Sequence, residues 1–141
     1  MIKKLHKLVV EDDFHFLLIG ISSHENDYRI SWAINTYLKM AFKRAENLQI
    51  HNPRTGNDQE FSLYQYSDPE TQFHYDLFSN RCDNGFFLED MKNIDYLLKI
   101  SGDYNKTFPV QLVNKLKKID ILTTAFEIDP MTLKSKKKLI F

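Results

Sequence analysis

The stretch FSLYQYSDPETQFHYDLF, residues 61–78, determines the fold class that this sequence predicts. Its two arms, FSLYQY (61–66) and FHYDLF (73–78), alternate in polarity with a period of two, which is typical of strands. Residues 67–71 join the arms, and Asp followed by Pro within that segment favours a type I turn. The stretch therefore predicts a β-hairpin, and a hairpin makes sequence neighbours pair antiparallel.

Further strand-like segments lie on both sides of this hairpin. Residues 4–10, 94–100 and 121–128 each predict a strand. Residues 14–21, FHFLLIGI, form a short apolar run that favours either a buried strand or one or two buried helical turns, although Gly20 weakens the helical alternative. A polar loop is predicted over residues 48–58, and Asp83-Asn84-Gly85 predicts a tight turn.

The first helix is predicted from the sequence ISSHENDYR, residues 21–29. Ser22 followed three positions later by Glu25 forms a capping box, and Asp27 suits the positive end of a helix dipole. The predicted helix runs from Ser23 to Phe42. A catalytic Ser-His-Glu triad is excluded among these neighbours, because side chains within one helical turn point apart and do not converge.

A second helix is predicted to begin at Thr107, because a proline follows at residue 109 and Leu112, Leu116 and Ile119 share one side. Strands and helices are segregated along the chain. The predicted fold is therefore α+β, with a mainly antiparallel β-sheet of about four to six strands packed with two principal α-helices. No linker divides the sequence, so residues 1–141 are predicted to form a single α+β domain.

Composition excludes several classes of function. Lys plus Arg and Asp plus Glu number 19 each, so no net charge attracts nucleic acid or an anionic membrane. Cys82 is the single cysteine, which favours a reducing compartment and excludes an internal disulfide. The longest apolar run, residues 16–21, is far shorter than the ~20 residues of a membrane helix. We expect a cytoplasmic protein without a membrane partner.

Catalytic and metal-binding patterns are not found in the sequence. The histidines at positions 6, 15, 24, 51 and 74 show no HxH, HExxH or HxxxH spacing, and the glycines form no phosphate loop. Residues 11–13, EDD, carry adjacent carboxylates, which are typical of a turn or a helix cap. We therefore predict no catalytic residue, no metal site and no cofactor, and an enzyme is not favoured.

Several blocks of sequence carry a resemblance to a known family. They are FLLIGISSHENDYRISWAIN (16–35), FSLY (61–64), SNR (79–81), LEDMKNIDYLLKI (88–100) and LTTAFEIDPMTLKSKKKLIF (122–141). Together they resemble the IPExxxVDY family of small proteins from Bacteroidota, over a span from about Lys4 to Phe141. Asp95 and Tyr96 agree with the naming motif, whereas Leu88, Glu89, Asp90 and Ile94 stand where it has Ile, Pro, Glu and Val. The resemblance implies a bacterial, cytosolic setting and no particular activity.

The first helix carries apolar or aromatic residues on two sides. The predicted core side is formed by Ile30, Ala33, Ile34, Tyr37, Leu38 and Ala41. Tyr28, Trp32, Asn35 and Lys39 lie opposite it, where a surface helix is normally polar. Either this second side is covered by residues 14–21 or by the C-terminal tail, or it is exposed. If exposed, Tyr28, Arg29, Trp32 and Asn35 form a binding surface, because Tyr, Trp and Arg are enriched in binding hot spots.

The leading hypothesis is thus a non-catalytic protein-interaction module that binds an unknown protein partner or a second copy of itself as a homodimer. The alternative is a nucleic-acid-associated protein that uses the C-terminal lysine cluster, formed by Lys134, Lys136, Lys137 and Lys138. These lysines predict either a solvated turn followed by an anchor to the core, or a phosphate-binding patch joined by Lys115, Lys117 and Lys118.

Overall fold

The computed structural model describes residues 14–141, so the predicted strand at residues 4–10 and the acidic residues 11–13 lie outside it. The strands are β1 (Leu17–Ser22), β2 (Lys43–Asn52), β3 (Asn57–Ser67), β4 (His74–Ser79), β5 (Arg81–Cys82), β6 (Gly85–Phe86), β7 (Tyr96–Ser101) and β8 (Thr124–Ile128). The helices are α1 (Asp27–Leu38) and α2 (Phe108–Lys117), and short 3₁₀ turns cover Pro130–Thr132 and Lys136–Leu139.

Within residues 14–141, six strands form one antiparallel sheet in the order β2-β3-β4-β7-β1-β8, and β5 pairs with β6 in a separate hairpin. The predicted α+β class is confirmed, as are the two helices and the hairpin at residues 61–78, which is β3–β4. The turn at residues 83–85 joins β5 to β6 as predicted. Of the two alternatives for residues 14–21, the structure has the buried strand, because β1 begins at Leu17.

Both faces of the sheet are covered. Successive side chains of a strand point to opposite faces, so Leu17, Ile19 and Ile21 contribute to the core beneath the helices. Leu18 contributes to a second core on the opposite face, which residues 80–95 and the C-terminal segment cover. Gly20 faces this second core, where a Cβ would lie 2.7 Å from Ile94 Cδ1. The close approach of that side chain explains a glycine in the middle of β1.

The predicted capping box is wrong. Asn26 caps α1, since its Oδ1 accepts a hydrogen bond of 2.9 Å from the Arg29 amide. Ser22 remains in β1 and its hydroxyl donates to the Asn93 carbonyl at 3.0 Å. The helix also ends earlier than predicted, at Leu38, because Lys39 adopts the left-handed conformation with φ 57°. Tertiary contacts therefore occupy the serine that the sequence pattern assigns to the helix.

The predicted polar loop at residues 48–58 is also wrong. These residues form the second half of β2 and the start of β3, joined by a turn at Gly56 with φ 76°. The β2 strand lies at the edge of the sheet and is largely exposed, so its composition is polar. A register shift between Ala45 and Leu48 further disturbs the alternation of its side chains.

Candidate functional site

The outer face of α1 carries large aromatic side chains in solvent. Tyr28 is 64% exposed and Trp32 is 53% exposed. The inner face is buried at Ile30, Ala33 and Ile34, as predicted. Of the two alternatives for the outer face, the structure has the exposed one, because residues 14–21 enter the sheet and the C-terminal tail packs on the opposite sheet face.

Tyr37 and Ala41 were expected to face the core, but the structure leaves both exposed, with Tyr37 at 60%. The reason is the early end of α1. Tyr37 lies in the last turn of the helix, where it lines a cavity next to α2 together with Lys118. Ala41 lies beyond the helix end. The predicted inner face is therefore shorter than the hydrophobic pattern indicates.

Asn35 differs from the other three predicted binding residues. Its Nδ2 donates to the Phe42 carbonyl at 3.1 Å and its Oδ1 accepts from the Phe42 amide at 2.7 Å. This pair of bonds closes the loop between α1 and β2. Arg29 is exposed, with its Nε 3.9 Å from Glu25 Oε1. Tyr28, Arg29 and Trp32 are thus available at the surface, whereas Asn35 stabilises the end of the helix.

The exposed face of α1 adjoins the edge of the sheet. The Arg44 guanidinium of β2 lies over the Tyr64 ring at 5.5 Å from the ring centroid. Burial raises the pKa of Tyr64, the negative charge of Asp27 raises it further, and Arg44 lowers it. The start of α1 therefore lies close to Tyr64 of β3.

Asn80 fixes the segment that leads to β7. Its side chain is fully buried and makes three hydrogen bonds. Nδ2 donates to the carbonyls of Met91 and Ile94, both at 2.9 Å, and Oδ1 accepts from the Leu88 amide at 2.7 Å. Sequence reasoning assigned no role to Asn80, although the block SNR that contains it contributes to the family resemblance.

Asp95 connects this segment to the start of α1. Its Oδ2 accepts from the Ser23 amide at 2.8 Å, and its Oδ1 accepts from Arg81 Nε at 2.7 Å. The neighbouring Tyr96 hydroxyl donates to the Glu25 carbonyl at 2.7 Å. These two residues agree with the family motif, and both hold the loop from which α1 begins. The orientation of the aromatic face is set by this network.

The C-terminal lysine cluster lies on an anchored turn. Leu139 is fully buried, and the Lys138 Nζ donates to the Phe87 carbonyl at 3.0 Å. The Lys134 backbone amide donates to Asp90 Oδ2 at 2.9 Å. This arrangement confirms the predicted anchor to the core. The lysines of α2 lie across the sheet from this turn, so the structure does not join Lys115, Lys117 and Lys118 to the cluster. Phosphate binding stays a prediction.

Lys99 is a buried cation beneath the C-terminal segment. Its Nζ donates to the Leu139 carbonyl at 2.7 Å and lies 4.9 Å and 4.2 Å from the ring centroids of Phe16 and Phe141. Burial lowers the pKa of Lys99, and the charge of Asp76 opposes that shift. The carbonyl and the two rings replace only part of the water around the ammonium group, since the pKa of Lys99 is still lowered.

A cavity of about 400 Å³ opens between the end of α1 and the start of α2. Phe73, Tyr75 and Phe108 line it together with the carboxylates of Asp68 and Asp103. Burial raises the pKa of Tyr75 to about 12, and Asp68 contributes to the shift. Among the described residues, the lining contains no His, Cys or Ser, so it presents no nucleophile paired with a histidine base.

Two features are absent from the described residues 14–141. No group of three or more His, Cys, Asp and Glu side chains there is arranged to hold a metal ion. No helix within the same range is long and apolar enough to cross a membrane.

The fold and this face define a class of protein: an α+β domain that exposes aromatic side chains on a helix whose inner face is buried. No protein-family model, no curated protein and no solved structure matches the chain. The resemblance to the IPExxxVDY family stays a prediction.

Proposed function

We propose that this protein is a non-catalytic interaction module and that the outer face of α1 binds its partner. Exposure of Trp32 and Tyr28 is the observation that carries the proposal. The core beneath α1 is complete without them, so folding does not explain their presence there. Tyr, Trp and Arg dominate binding hot spots because they bury large areas at a modest cost in side-chain entropy.

The edge of the sheet at β2 offers a less suitable surface for a partner. The outer strand β2 carries the exposed charges of Lys43, Arg44 and Glu46. It also contains the register shift between Ala45 and Leu48. Charges and bulges of this kind interrupt pairing with another strand. We therefore place the contact on the helix and not on the β2 edge.

The proposal includes a cytoplasmic setting and membership of the IPExxxVDY family of Bacteroidota. The free thiol of Cys82 supports a reducing compartment. The structural roles of Asp95 and Tyr96, which match the family motif, support the family assignment. Both residues fix the start of α1, so a family that shares them would share the orientation of this helix.

Affinity capture from a native lysate tests the proposal. The tagged protein is compared with Trp32→Ala and with Tyr37→Ala, a matched control that removes an equally exposed aromatic side chain. Tyr37 lies roughly 140° around the helix from Trp32. We expect Trp32→Ala to lose about 2 kcal/mol or more of binding free energy, which is ~30-fold in affinity, while Tyr37→Ala binds normally.

Each capture is divided into nuclease-treated and untreated halves. A partner that survives nuclease and is lost with Trp32→Ala supports the proposal. Captured material that is lost on nuclease treatment but is unaffected by Trp32→Ala contradicts the proposal. That result would favour the alternative, nucleic-acid binding by Lys134, Lys136, Lys137 and Lys138, and the affinity would then fall steeply with salt.

A further inference from the structure

The cavity between the end of α1 and the start of α2 is formed in part by two loops that the sheet register brings together. His74 of β4 pairs with Ser101 of β7, so the end of the β3–β4 turn meets the residues that follow β7. Gly102 has φ 145°, and a Cβ at this position would lie 2.5 Å from Phe73 Cδ1. The chain therefore passes closely over the Phe73 ring, and the next residue, Asp103, lines the cavity.

Aromatic side chains form one wall of this cavity. The rings of Phe73 and Phe108 lie edge to face, with their centroids 5.1 Å apart and an angle of 71° between their planes. Both side chains are half-buried, and Tyr75, which also lines the cavity, is 3% exposed. A cation over the face of an aromatic ring is attracted by the negative charge of the π-system. This wall therefore suits a ligand that combines an apolar body with a positive charge.

The Tyr75 hydroxyl is a polar group without a hydrogen-bond partner among residues 14–141, although its side chain is almost fully buried. Burial raises the pKa of Tyr75 to about 12, and the negative charge of Asp68 contributes, so the phenol stays neutral near pH 7. Asp68 lines the same cavity, which places the hydroxyl on the cavity side of the ring. Buried polar groups are normally hydrogen-bonded. This oxygen is therefore available to a ligand.

Two carboxylates of the lining are not neutralised by a basic side chain. Asp68 and Asp103 take part in none of the ion pairs within residues 14–141. Asp68 Oδ1 accepts a hydrogen bond of 2.9 Å from the Glu70 amide, which orients this carboxylate in the turn. Lys115 also lines the cavity, but it is exposed and borders a neighbouring cavity as well. The lining thus has two negative charges against one positive charge.

The start of α2 does not offer a competing site for an anion. The Oδ1 of Asn105 accepts hydrogen bonds from the amides of Thr107 at 3.1 Å and Phe108 at 2.9 Å. The Gln111 amide donates to the Thr107 carbonyl at 3.1 Å. These amides are therefore occupied within the protein, and the two carboxylates determine which charge the cavity favours.

We infer that this cavity binds a small organic amine whose protonated amino group contacts the two carboxylates and whose apolar body packs on the aromatic wall. A primary ammonium group has three N–H donors, and the carboxylates and the Tyr75 hydroxyl oxygen are acceptors. Hydrogen bonds between an ammonium and a carboxylate are charge-assisted and therefore strong. The volume of about 400 Å³ suits a small molecule. The exposed residues Tyr28, Arg29 and Trp32 do not line this cavity, so the site is additional to the outer face of α1.

Titration of the full chain with phenethylamine, followed by the backbone amide signals in NMR spectra, tests the inference. Phenethyl alcohol is the matched control ligand, because a hydroxyl replaces the ammonium group on the same apolar body. We expect phenethylamine to bind with a dissociation constant of about 0.1–10 mM and to shift the amide signals of Phe73 and Asp103. The alcohol should bind at least ~10-fold more weakly. Equal binding of the two ligands, or no saturable shift with phenethylamine, would overturn the inference.

Charge removal in the protein tests the role of the carboxylates. Asp68→Asn and Asp103→Asn should each weaken phenethylamine binding about fivefold. Asp68→Asn keeps the Oδ1 that accepts from the Glu70 amide, so the turn is retained. Asp120→Asn is the matched control, since this exposed carboxylate does not line the cavity. Phe108→Leu should weaken both ligands, because it removes part of the aromatic wall. Unchanged phenethylamine binding in both asparagine variants would overturn the contact with the carboxylates.

A lysine side chain of a peptide carries the same ammonium group as a free amine. A lysine blocked at its backbone amine and carboxyl groups is therefore titrated in the same way. We expect it to bind more weakly than phenethylamine, because its alkyl chain covers less of the aromatic wall than a ring does. Tighter binding of the blocked lysine would overturn a free amine as the ligand. Circular dichroism checks that each variant is folded.

Discussion

Around Asn80 the molecule buries polar groups and bonds them fully, whereas on the outer face of α1 it exposes aromatic groups without covering them. The buried amide of Asn80 stabilises the segment that orients α1. The exposed rings of Tyr28 and Trp32 contribute little to the stability of the fold. The contrast separates residues that the fold requires from residues that a partner would use. We therefore expect substitutions of the first group to lower stability and substitutions of the second group to weaken binding.

The largest effect on stability is expected for Asn80→Ala. This change leaves the Leu88 amide and the carbonyls of Met91 and Ile94 without their partner inside the protein. We expect the free energy of unfolding to fall by about 3–5 kcal/mol. Denaturant unfolding measures it, with the exposed Asn114→Ala as the matched control. A loss in the free energy of unfolding below about 1 kcal/mol would show that the hydrogen bonds of Asn80 do not stabilise the fold.

An intermediate effect is expected from pH. The folded state raises the pKa of Tyr75 from 10.0 to about 12, so the neutral phenol is favoured by folding. Its contribution to stability is complete below pH 10 and is lost as pH rises towards 12. Denaturant unfolding across this window should show a decline that Tyr75→Phe makes shallower.

Two other groups also affect how the free energy of unfolding changes at alkaline pH. Burial also raises the pKa of Tyr96, so part of the decline should remain in Tyr75→Phe. The lowered pKa of Lys99 acts in the opposite direction, because stability rises with pH where the unfolded chain binds the additional proton. Lys99→Met should therefore make the decline steeper. If the free energy of unfolding declines equally steeply with pH in Tyr75→Phe and in the unmodified chain, the assignment of the decline to Tyr75 is wrong.

The smallest effect on stability is expected for Trp32→Ala. Its side chain is 53% exposed, so the free energy of unfolding should change by no more than about 0.5 kcal/mol. Ile34→Ala on the same helix should cost about 2–5 kcal/mol, because Ile34 is fully buried. Denaturant unfolding of both variants measures the difference. If Trp32→Ala costs as much as Ile34→Ala, Trp32 belongs to the core and the contrast is wrong.

Local chemistry was sufficient for much of the fold. The alternation of FSLYQY and FHYDLF with Asp68-Pro69 between them predicted the β3–β4 hairpin, and Asn84-Gly85 predicted the turn between β5 and β6. Thr107 before Pro109 predicted the start of α2. These signals operate between residues a few positions apart. The start of α1 was mispredicted because Ser22 and Ser23 bond to Asn93 and Ile121, 71 and 98 positions away.

The sequence by itself determined the antiparallel α+β class, the two helices and the placement of Tyr28 and Trp32 on the side of α1 opposite its buried residues. It did so because polarity patterns and turn residues act through neighbouring positions. Only the tertiary structure decided that β2 is a strand, that Asn35 bonds to Phe42 and that the aromatic face is uncovered. Pairing at a sheet edge and coverage of a helix depend on which distant segments pack nearby, and no local pattern of residues specifies that.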